Sequence, residues 1–214
     1  MIKSVNAYAA ASATAPLVLH PITRRLPRPY DVEIDILYCG VCHSDLHTAR
    51  NDWGWTRYPI VPGHEIIGRV VAIGSQVSRF KVGDRVGVGC MVDACGHCEA
   101  CEEGHEQHCS ETATYTYGAP DRIDGSLTQG GYSEKVVVKE GFVVRIPDNL
   151  ALQGAAPLLC AGITTWSPLK NADIGPGSRV AVVGLGGLGH MAIKLAKAMG
   201  AEVTLFTRSP GKEE

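Results

Sequence analysis

Four cysteines crowded between residues 95 and 109 constrain this chain more than any other feature. They follow the pattern Cys95-x2-Cys98-x2-Cys101-x7-Cys109. Short spacings of this kind let successive sulfurs bind one ion, and four thiolates form a closed tetrahedral zinc site. The bacterial iron–sulfur pattern ends in x3-Cys-Pro, whereas here Ser110 follows the last cysteine. We therefore favour structural zinc over an iron–sulfur cluster.

The other histidines and cysteines support this interpretation. Because four sulfurs satisfy zinc, we expect His97, His105 and His108 to lie on the surface. Eight cysteines in 214 residues are too few for a disulfide scaffold. Free thiolate ligands favour a reducing compartment, so we expect a cytoplasmic protein.

Charge and hydropathy exclude several function classes. The chain has 20 basic and 22 acidic residues without a basic block, which argues against nucleic-acid binding. No apolar run reaches the roughly 20 residues that a membrane span needs. The Ala-rich stretch from Val5 to Leu19 is interrupted by polar residues such as Asn6, so the apolar core of a secretion signal is weak.

Residues 1–150 predict a β-rich domain. Alternating or continuous apolar residues predict strands at 32–36, 66–73, 84–88 and 134–138. Gly68 interrupts the second of these strands and marks a bulge or bend. Short strands separated by Gly and Pro, as at Gly130–Gly131, favour a barrel or sandwich.

Residues 151–214 predict the beginning of an α/β domain. Residues 151–170 are rich in Ala and Leu and are expected to be partly helical. A buried strand at 179–183, a helix at 188–199 capped by Gly200, and a second strand at 202–206 make one βαβ unit.

A glycine-rich loop opens the helix of this unit. Residues 184–189, Gly184-Leu185-Gly186-Gly187-Leu188-Gly189, fit G-x-G-x-x-G in the strand–loop–helix context that a dinucleotide fingerprint requires. Gly184 permits the tight turn, Gly186 lets the backbone approach a pyrophosphate, and Gly189 lets helix and strand pack closely. The sequence therefore predicts a Rossmann dinucleotide-binding domain.

The end of the second strand predicts the cofactor. NAD-binding chains place an acidic residue about 20 residues after the loop, where it binds the ribose 2′-hydroxyl. This chain has Thr207-Arg208-Ser209 there, followed by Lys212. Cations suit a 2′-phosphate, so we predict NADP; the alternative is that Arg208 and Lys212 are solvated surface charges.

Five motifs in order resemble the zinc-dependent medium-chain alcohol dehydrogenase family, in particular its cinnamyl-alcohol-dehydrogenase branch and that branch's bacterial NADP-dependent aldehyde reductases. These are Cys42-His43-Ser44-Asp45, Gly63-His64-Glu65-x2-Gly68, the four-cysteine segment, Cys160-Ala161-Gly162 and the glycine loop. The resemblance covers the whole chain. It implies a GroES-like catalytic domain followed by the Rossmann domain.

The resemblance also implies a catalytic zinc ion in addition to the structural one. Cys42, His64 and Cys160 would hold it, a Cys2His set with one open position. Glu65 would lie beside the metal, and Asp45 would orient His64 through its other ring nitrogen. The substrate carbonyl would be polarised there and reduced by NADPH.

The resemblance implies further roles near this centre. Ser44 would carry the alcohol proton, His47 would relay it towards solvent, and His43 would lie near the cofactor pyrophosphate. Trp53 and Trp55 would wall the substrate pocket and favour aryl or other apolar aldehydes, with ordinary packing as the alternative. Cys39 and Cys90 have no role in this scheme, and we interpret both as core residues.

The chain departs from the family by ending after the second strand of the nucleotide domain. We expect a fragment of a longer enzyme, one that forms a homodimer at full length. The principal hypothesis is an NADP-dependent zinc alcohol dehydrogenase that reduces aldehydes. The alternative is a non-catalytic zinc protein with a structural or association role, and about two zinc ions per chain, as against one, distinguish the two.

Overall fold

The computed structural model describes residues 2–208 and 211, which form two compact units. The first continues through Leu159 and the second begins at Cys160. The boundary that the sequence predicts, after residue 150, falls earlier than this one. Residues 152–159 form a short helix and a 3-10 turn, and Leu152 and Leu159 pack with Ile67 and Ile146 of the first unit.

The first unit consists mainly of short strands. In chain order these are β1 (Ile2–Ala9), β2 (Val18–Arg25), β3 (Asp31–Cys39), β4 (Ile66–Ile73), β5 (Arg85–Val88), β6 (Met91–Asp93), β7 (Thr114–Tyr115), β8 (Lys135–Lys139) and β9 (Val143–Arg145). Its helices are α1 (His43–Arg50), α2 (Glu99–Glu102) and α3 (Leu152–Ala155). The four predicted strands are confirmed as β3, β4, β5 and β8.

A five-stranded antiparallel sheet of order β8-β3-β4-β5-β9 holds the core. Alternate residues of each strand face inward because side chains alternate along a strand. The buried cluster is almost entirely β-branched: Val32, Ile34, Ile66, Val70, Val86, Val88, Val136, Val138 and Val143, with Phe80. The β-rich prediction for this part of the chain is confirmed.

The pairing of β3 with β4 brings two loops together. Cys39, at the end of β3, pairs with Ile66, at the start of β4. The register shifts between Ile36 and Tyr38, opposite Gly68, which confirms the predicted irregularity. A Cβ atom at Gly68 would lie 2.2 Å from the Asp35 carbonyl oxygen, so only glycine permits this close approach. The segments after β3 and before β4 therefore meet at one edge of the sheet.

The second unit has the predicted strand–helix–strand order. It contains α4 (Ala161–Asn171), β10 (Arg179–Val183), α5 (Gly187–Ala198) and β11 (Glu202–Phe206). Strands β10 and β11 are parallel, with Val183 paired to Phe206. Among the described residues, no helix is long and apolar enough to cross a bilayer.

Candidate metal centres and cofactor loop

The loops at the β3–β4 edge bring metal-ligating side chains together. Ligand atoms of Cys42, His64 and Glu65 all lie within 4.8 Å of one another. His64 and Glu65 are buried, each 3% exposed, and Cys42 is half-buried at the N-terminus of α1. A thiol, an imidazole and a carboxyl group that converge below the protein surface form a site that suits zinc.

Asp45 ties these loops to each other. Its Oδ1 accepts hydrogen bonds from the Gly63 N–H and from Nδ1 of His64, both at 2.9 Å. Its Oδ2 accepts the Cys42 N–H at 3.0 Å, which caps α1. Burial by itself would raise the pKa of the Asp45 carboxyl, but the hydrogen bond from His64 and the two backbone donors lower it. Asp45 is therefore held as an anion that fixes the His64 ring, as the sequence analysis predicts.

Two tyrosines that the sequence analysis missed complete this network. The Tyr117 hydroxyl lies 3.3 Å from Nδ1 of His64, and the Tyr132 hydroxyl donates to Oδ2 of Asp45 at 3.0 Å. Burial and the charge of Asp45 raise the pKa of both hydroxyls, so both keep their protons. Neither tyrosine belongs to a metal-binding motif; the only nearby signal is Gly130–Gly131 before Tyr132.

Glu65 occupies space that Gly40 leaves open. A Cβ atom at Gly40 would lie 1.9 Å from Oε2 of Glu65. Burial, together with the charge of Asp45, raises the pKa of the Glu65 carboxyl, and His64 opposes this effect.

Helix α1 carries the residues with predicted proton-transfer roles. Ser44 and His47 are three positions apart and so share one helix face. Nδ1 of His47 lies 2.8 Å from Oδ2 of Asp52. His43 is exposed, with its ring centroid 6.0 Å from that of His47. This geometry is compatible with the roles predicted for Ser44, His47 and His43, which remain predictions.

The two tryptophans stack at the end of α1. The Trp53 and Trp55 rings are 5.7 Å apart with an interplanar angle of 17°, and Trp53 also lies 5.4 Å from the ring of His47. Trp55 lines a cavity of about 500 Å³ with Tyr115 and Tyr117. A substrate-pocket role for the tryptophans remains a prediction.

The prediction for Cys90 is wrong. Cys90 is exposed, because it lies in the bend between β5 and β6 and not in either strand. Cys39 is half-buried and packs against the main core, in agreement with its interpretation as a core residue. Burial raises the pKa of its thiol to about 12.

The four-cysteine segment forms a second cluster. Ligand atoms of Cys95, Cys98, Cys101 and Cys109 lie within 4.8 Å of one another. Cys98 directly precedes α2, and Cys109 follows a 3-10 turn. Three nearby histidines are exposed, as predicted: His97, whose Nε2 lies 2.8 Å from Glu111, and also His105 and His108.

The electrostatics of this cluster suit a bound cation. The backbone N–H groups of Ser110 and Cys101 lower the pKa of the Cys98 thiol to about 6. The backbone N–H group of Cys95 lowers the pKa of the Cys109 thiol. The Gly96 N–H would lower the pKa of Cys101, but burial and the three neighbouring sulfurs raise it to about 12. Amides directed at crowded sulfurs favour thiolates, and a divalent cation relieves their mutual repulsion.

The glycine loop has the expected backbone geometry. Gly184 adopts φ = +91°, which only glycine tolerates readily in a tight turn, and Gly186 precedes the first residue of α5. A Cβ atom at Gly189 would lie 2.1 Å from the Gly184 carbonyl oxygen, so the helix packs closely on the turn. Leu185, Gly187 and Leu188 complete the loop, which leads into the N-terminus of α5, a position that suits an anion.

The residues predicted to select the cofactor lie at the carboxyl end of the β10–β11 pair, the same end as the glycine loop. Thr207 and Arg208 follow β11 as Gly184 follows β10, and both are exposed. Ser209 and Lys212 lie outside the described residues. Cys160, the predicted third ligand of the catalytic metal, begins the second unit and is half-buried.

Comparison with known proteins places the chain in a family. The alcohol dehydrogenase GroES-like domain family matches residues 28–148, and the chain belongs to that family. The resemblance and the GroES-like fold predicted from the sequence are thus confirmed.

Individual relatives cover the entire chain. It is 58% identical over 214 residues to the NADP-dependent alcohol dehydrogenase C 1 of Mycolicibacterium smegmatis, covering 100% of this chain and 61% of the relative. It is 57% identical to the aldehyde reductase YahK of Escherichia coli, covering 100% of this chain and 60% of the relative. Among solved structures, the cinnamyl alcohol dehydrogenase SbCAD4 of Sorghum bicolor superimposes with a TM-score of 0.94 at 48% identity, over 98% of this chain and 60% of that one. The chain thus spans about three fifths of the length of these relatives.

Proposed function

We propose that this chain provides the metal centres and the first part of the cofactor site of an NADP-dependent zinc alcohol dehydrogenase that reduces aldehydes. The observation that carries the proposal is the convergence of Cys42, His64 and Glu65 around a buried place, with Asp45 bound to His64. Structural zinc sites are closed sets of four cysteines and histidines, whereas catalytic sites have three protein ligands and one open position.

We assign Cys42, His64 and Cys160 as the protein ligands of the catalytic zinc. Leu159, the residue before Cys160, packs in the first unit, and its carbonyl oxygen would lie 3.0 Å from a Cβ atom at Gly89. One peptide bond therefore tethers Cys160 to the unit that holds Cys42 and His64. The second zinc ion belongs to the four-cysteine cluster, which supplies a closed ligand set.

The residues around this centre have distinct tasks. When bound, zinc polarises the carbonyl oxygen of the aldehyde, and NADPH supplies the hydride. Asp45 holds the His64 ring in one tautomer. Ser44 donates a proton to the substrate oxygen as the carbonyl is reduced, and His47, with Asp52 as its partner, passes a proton from solvent back to Ser44. Trp53 and Trp55 favour aryl or other apolar aldehydes.

The glycine loop and Arg208 bind the cofactor. The N-terminus of α5, in the loop of residues 184–189, receives the pyrophosphate, with His43 near it. Arg208 receives the 2′-phosphate together with Thr207, Ser209 and Lys212. The described cysteines form no disulfide bonds, which suits a cytoplasmic enzyme. A small aldehyde or alcohol is the partner of the site, and we propose a homodimer for the full-length enzyme.

The test is NADPH oxidation with cinnamaldehyde by the zinc-loaded full-length enzyme to which this chain contributes. We expect turnover that Cys42→Ala abolishes and that Cys90→Ala, a substitution of an exposed cysteine outside both ligand sets, leaves intact. Loss of one charge-assisted contact in Arg208→Ala is expected to weaken NADPH binding roughly tenfold without affecting NADH. Turnover that survives Cys42→Ala, or equal efficiency with NADH and NADPH, contradicts the proposal.

A further inference from the structure

The segment of residues 130–132 runs directly alongside residues 61–63, immediately before His64. The Gly130 N–H donates to the Val61 carbonyl at 2.7 Å, the Gly131 N–H to Gly63 at 2.8 Å, and the Tyr132 N–H to Pro62 at 3.0 Å. This approach depends on glycine. A Cβ atom would lie 2.3 Å from the Pro62 carbonyl oxygen at Gly130, and 2.3 Å from the Ile66 side chain at Gly131.

The same segment is anchored at both ends by a half-buried arginine. Arg24 of β2 donates to the carbonyl oxygens of Gln129 at 2.7 Å and Gly130 at 2.8 Å, and to the Ser133 hydroxyl at 2.9 Å. Residues 129–133 are therefore held from β2 on one side and bonded to the His64 loop on the other.

The Tyr132 side chain extends from this segment to the loop that carries Cys42. Its hydroxyl lies 3.0 Å from Oδ2 of Asp45 and 3.4 Å from the Gly40 carbonyl oxygen. A hydroxyl has one proton, and the closer, charged acceptor makes the stronger bond. Oδ2 of Asp45 thus has two donors, Tyr132 and the Cys42 N–H, while Oδ1 faces Gly63 and His64.

We propose that Tyr132 is a positioning residue of the catalytic metal centre, and that residues 130–132 brace the two ligand loops against each other. The inference rests on the proposed function, because it assigns a metal ion to Cys42 and His64. Tyr132 acts through Asp45: its hydroxyl fixes the rotation of the carboxylate whose other oxygen orients the His64 ring. Without the hydroxyl, the carboxylate gains freedom and the imidazole is held less firmly in its ligating orientation.

The test compares Tyr132→Phe with Tyr58→Phe in competition of the zinc-loaded chain with a chelator. Tyr58 is a matched control, because its hydroxyl donates to the Ala49 carbonyl of the same helix α1 at 2.8 Å without touching Asp45. We expect Tyr132→Phe to weaken zinc binding at the Cys42–His64 centre roughly tenfold, at the lower end of the effect of outer-sphere substitutions. Binding at the four-cysteine cluster is expected to stay unchanged, as is zinc binding at both sites in Tyr58→Phe.

A second measurement separates positioning from general destabilisation. In an Asp45→Asn background, Tyr132→Phe is expected to cause little further loss of zinc, because Tyr132 acts through the carboxylate. Equal zinc affinity in Tyr132→Phe and Tyr58→Phe, or an undiminished effect of Tyr132→Phe in Asp45→Asn, overturns the inference. A wild-type chain that binds zinc only at the four-cysteine cluster instead contradicts the proposed function.

Discussion

Nδ1 of His64 lies 2.9 Å from Oδ1 of Asp45, and both side chains are almost completely buried. This contact joins the first turn of α1 to the segment that leads into β4. It leaves the other ring nitrogen of His64 as the one to meet a metal ion. The position of the imidazole therefore depends on a carboxylate 19 residues earlier in the chain.

The first prediction concerns Asp45. Asp45→Asn keeps the size of the side chain and removes the anionic acceptor of Cys42, Gly63 and His64. We expect zinc affinity at the Cys42–His64 centre to fall about 10- to 100-fold, and the free energy of unfolding to decrease by roughly 1–3 kcal/mol. Chelator competition and urea unfolding measure these quantities.

The control for Asp45→Asn is Asp35→Asn, which removes a partly exposed ion pair with Lys135. Surface pairs contribute little, so both quantities are expected to stay close to wild type. Similar losses in the two variants argue against a special role for Asp45.

The second prediction concerns the space beside Glu65. Gly40→Ala places a methyl group where Oε2 of Glu65 lies, so the carboxylate must move. We expect destabilisation of about 1–3 kcal/mol, and a smaller cost in a Glu65→Ala background, where the carboxylate is absent. Unfolding of the four proteins gives the coupling free energy directly.

Gly141→Ala is the control for this cycle, because a Cβ atom at Gly141 meets nothing within 4 Å. It is expected to leave stability nearly unchanged. A cost of Gly40→Ala that is identical with and without the Glu65 carboxylate contradicts the explanation.

The third prediction concerns the four-cysteine cluster. Helix α2 has only four residues and is too short to be stable without the bound metal. We expect Cys101→Ser to remove one zinc ion and to lower the thermal midpoint by about 5–10 °C, equivalent to roughly 2–3 kcal/mol. Differential scanning calorimetry with and without chelator measures the change, with Cys90→Ser as control. A midpoint that does not respond to chelator rules out a structural role for the metal.

The fourth prediction concerns acid stability. Burial alone would raise the pKa of the Asp121 carboxyl, but hydrogen bonds from Arg28 and from the Ile123 and Asp124 N–H groups lower it. A carboxyl whose pKa is lower in the folded state stabilises the protein above its unfolded pKa of about 3.9. That stabilisation is lost as pH falls through the folded pKa.

We therefore expect Asp121→Asn to be less stable than wild type at neutral pH and to approach it as the pH falls below about 4. Urea unfolding from neutral to acid pH tests this expectation. Asp148→Asn, at a side chain that is 97% exposed, is the control. A stability difference between wild type and Asp121→Asn that is constant with pH contradicts the assignment.

The sequence predicted the parts of the fold and site that local patterns encode. The cysteine spacing, the alternation in β4 and the glycine loop each lie within one short segment, so their chemistry can be seen there. The resemblance supplied the pairing of Cys42 with His64, which no local pattern contains. Helix α1 has the polar sequence HSDLHTAR and shows no apolar periodicity. The hydrogen bond from the Cys42 N–H to Asp45, which caps this helix, appears only in the structure.

Contacts between distant segments could not be predicted in this way. Tyr132 meets Asp45 across 87 residues, and Tyr117 meets His64 across 53. An isolated tyrosine usually packs in a core, so nothing in its own surroundings distinguishes these two. Cys90 is exposed because the chain bends after β5. The strand pattern alone did not predict where this bend lies.

The most direct test of the account is the zinc content of the purified chain and its Cys42→Ala variant, measured by mass spectrometry. We predict about two zinc ions per wild-type chain and about one in the variant, since the closed cluster of four cysteines retains its ion. One zinc ion in both proteins would contradict the account, because the centre at Cys42 and His64 would then hold no metal.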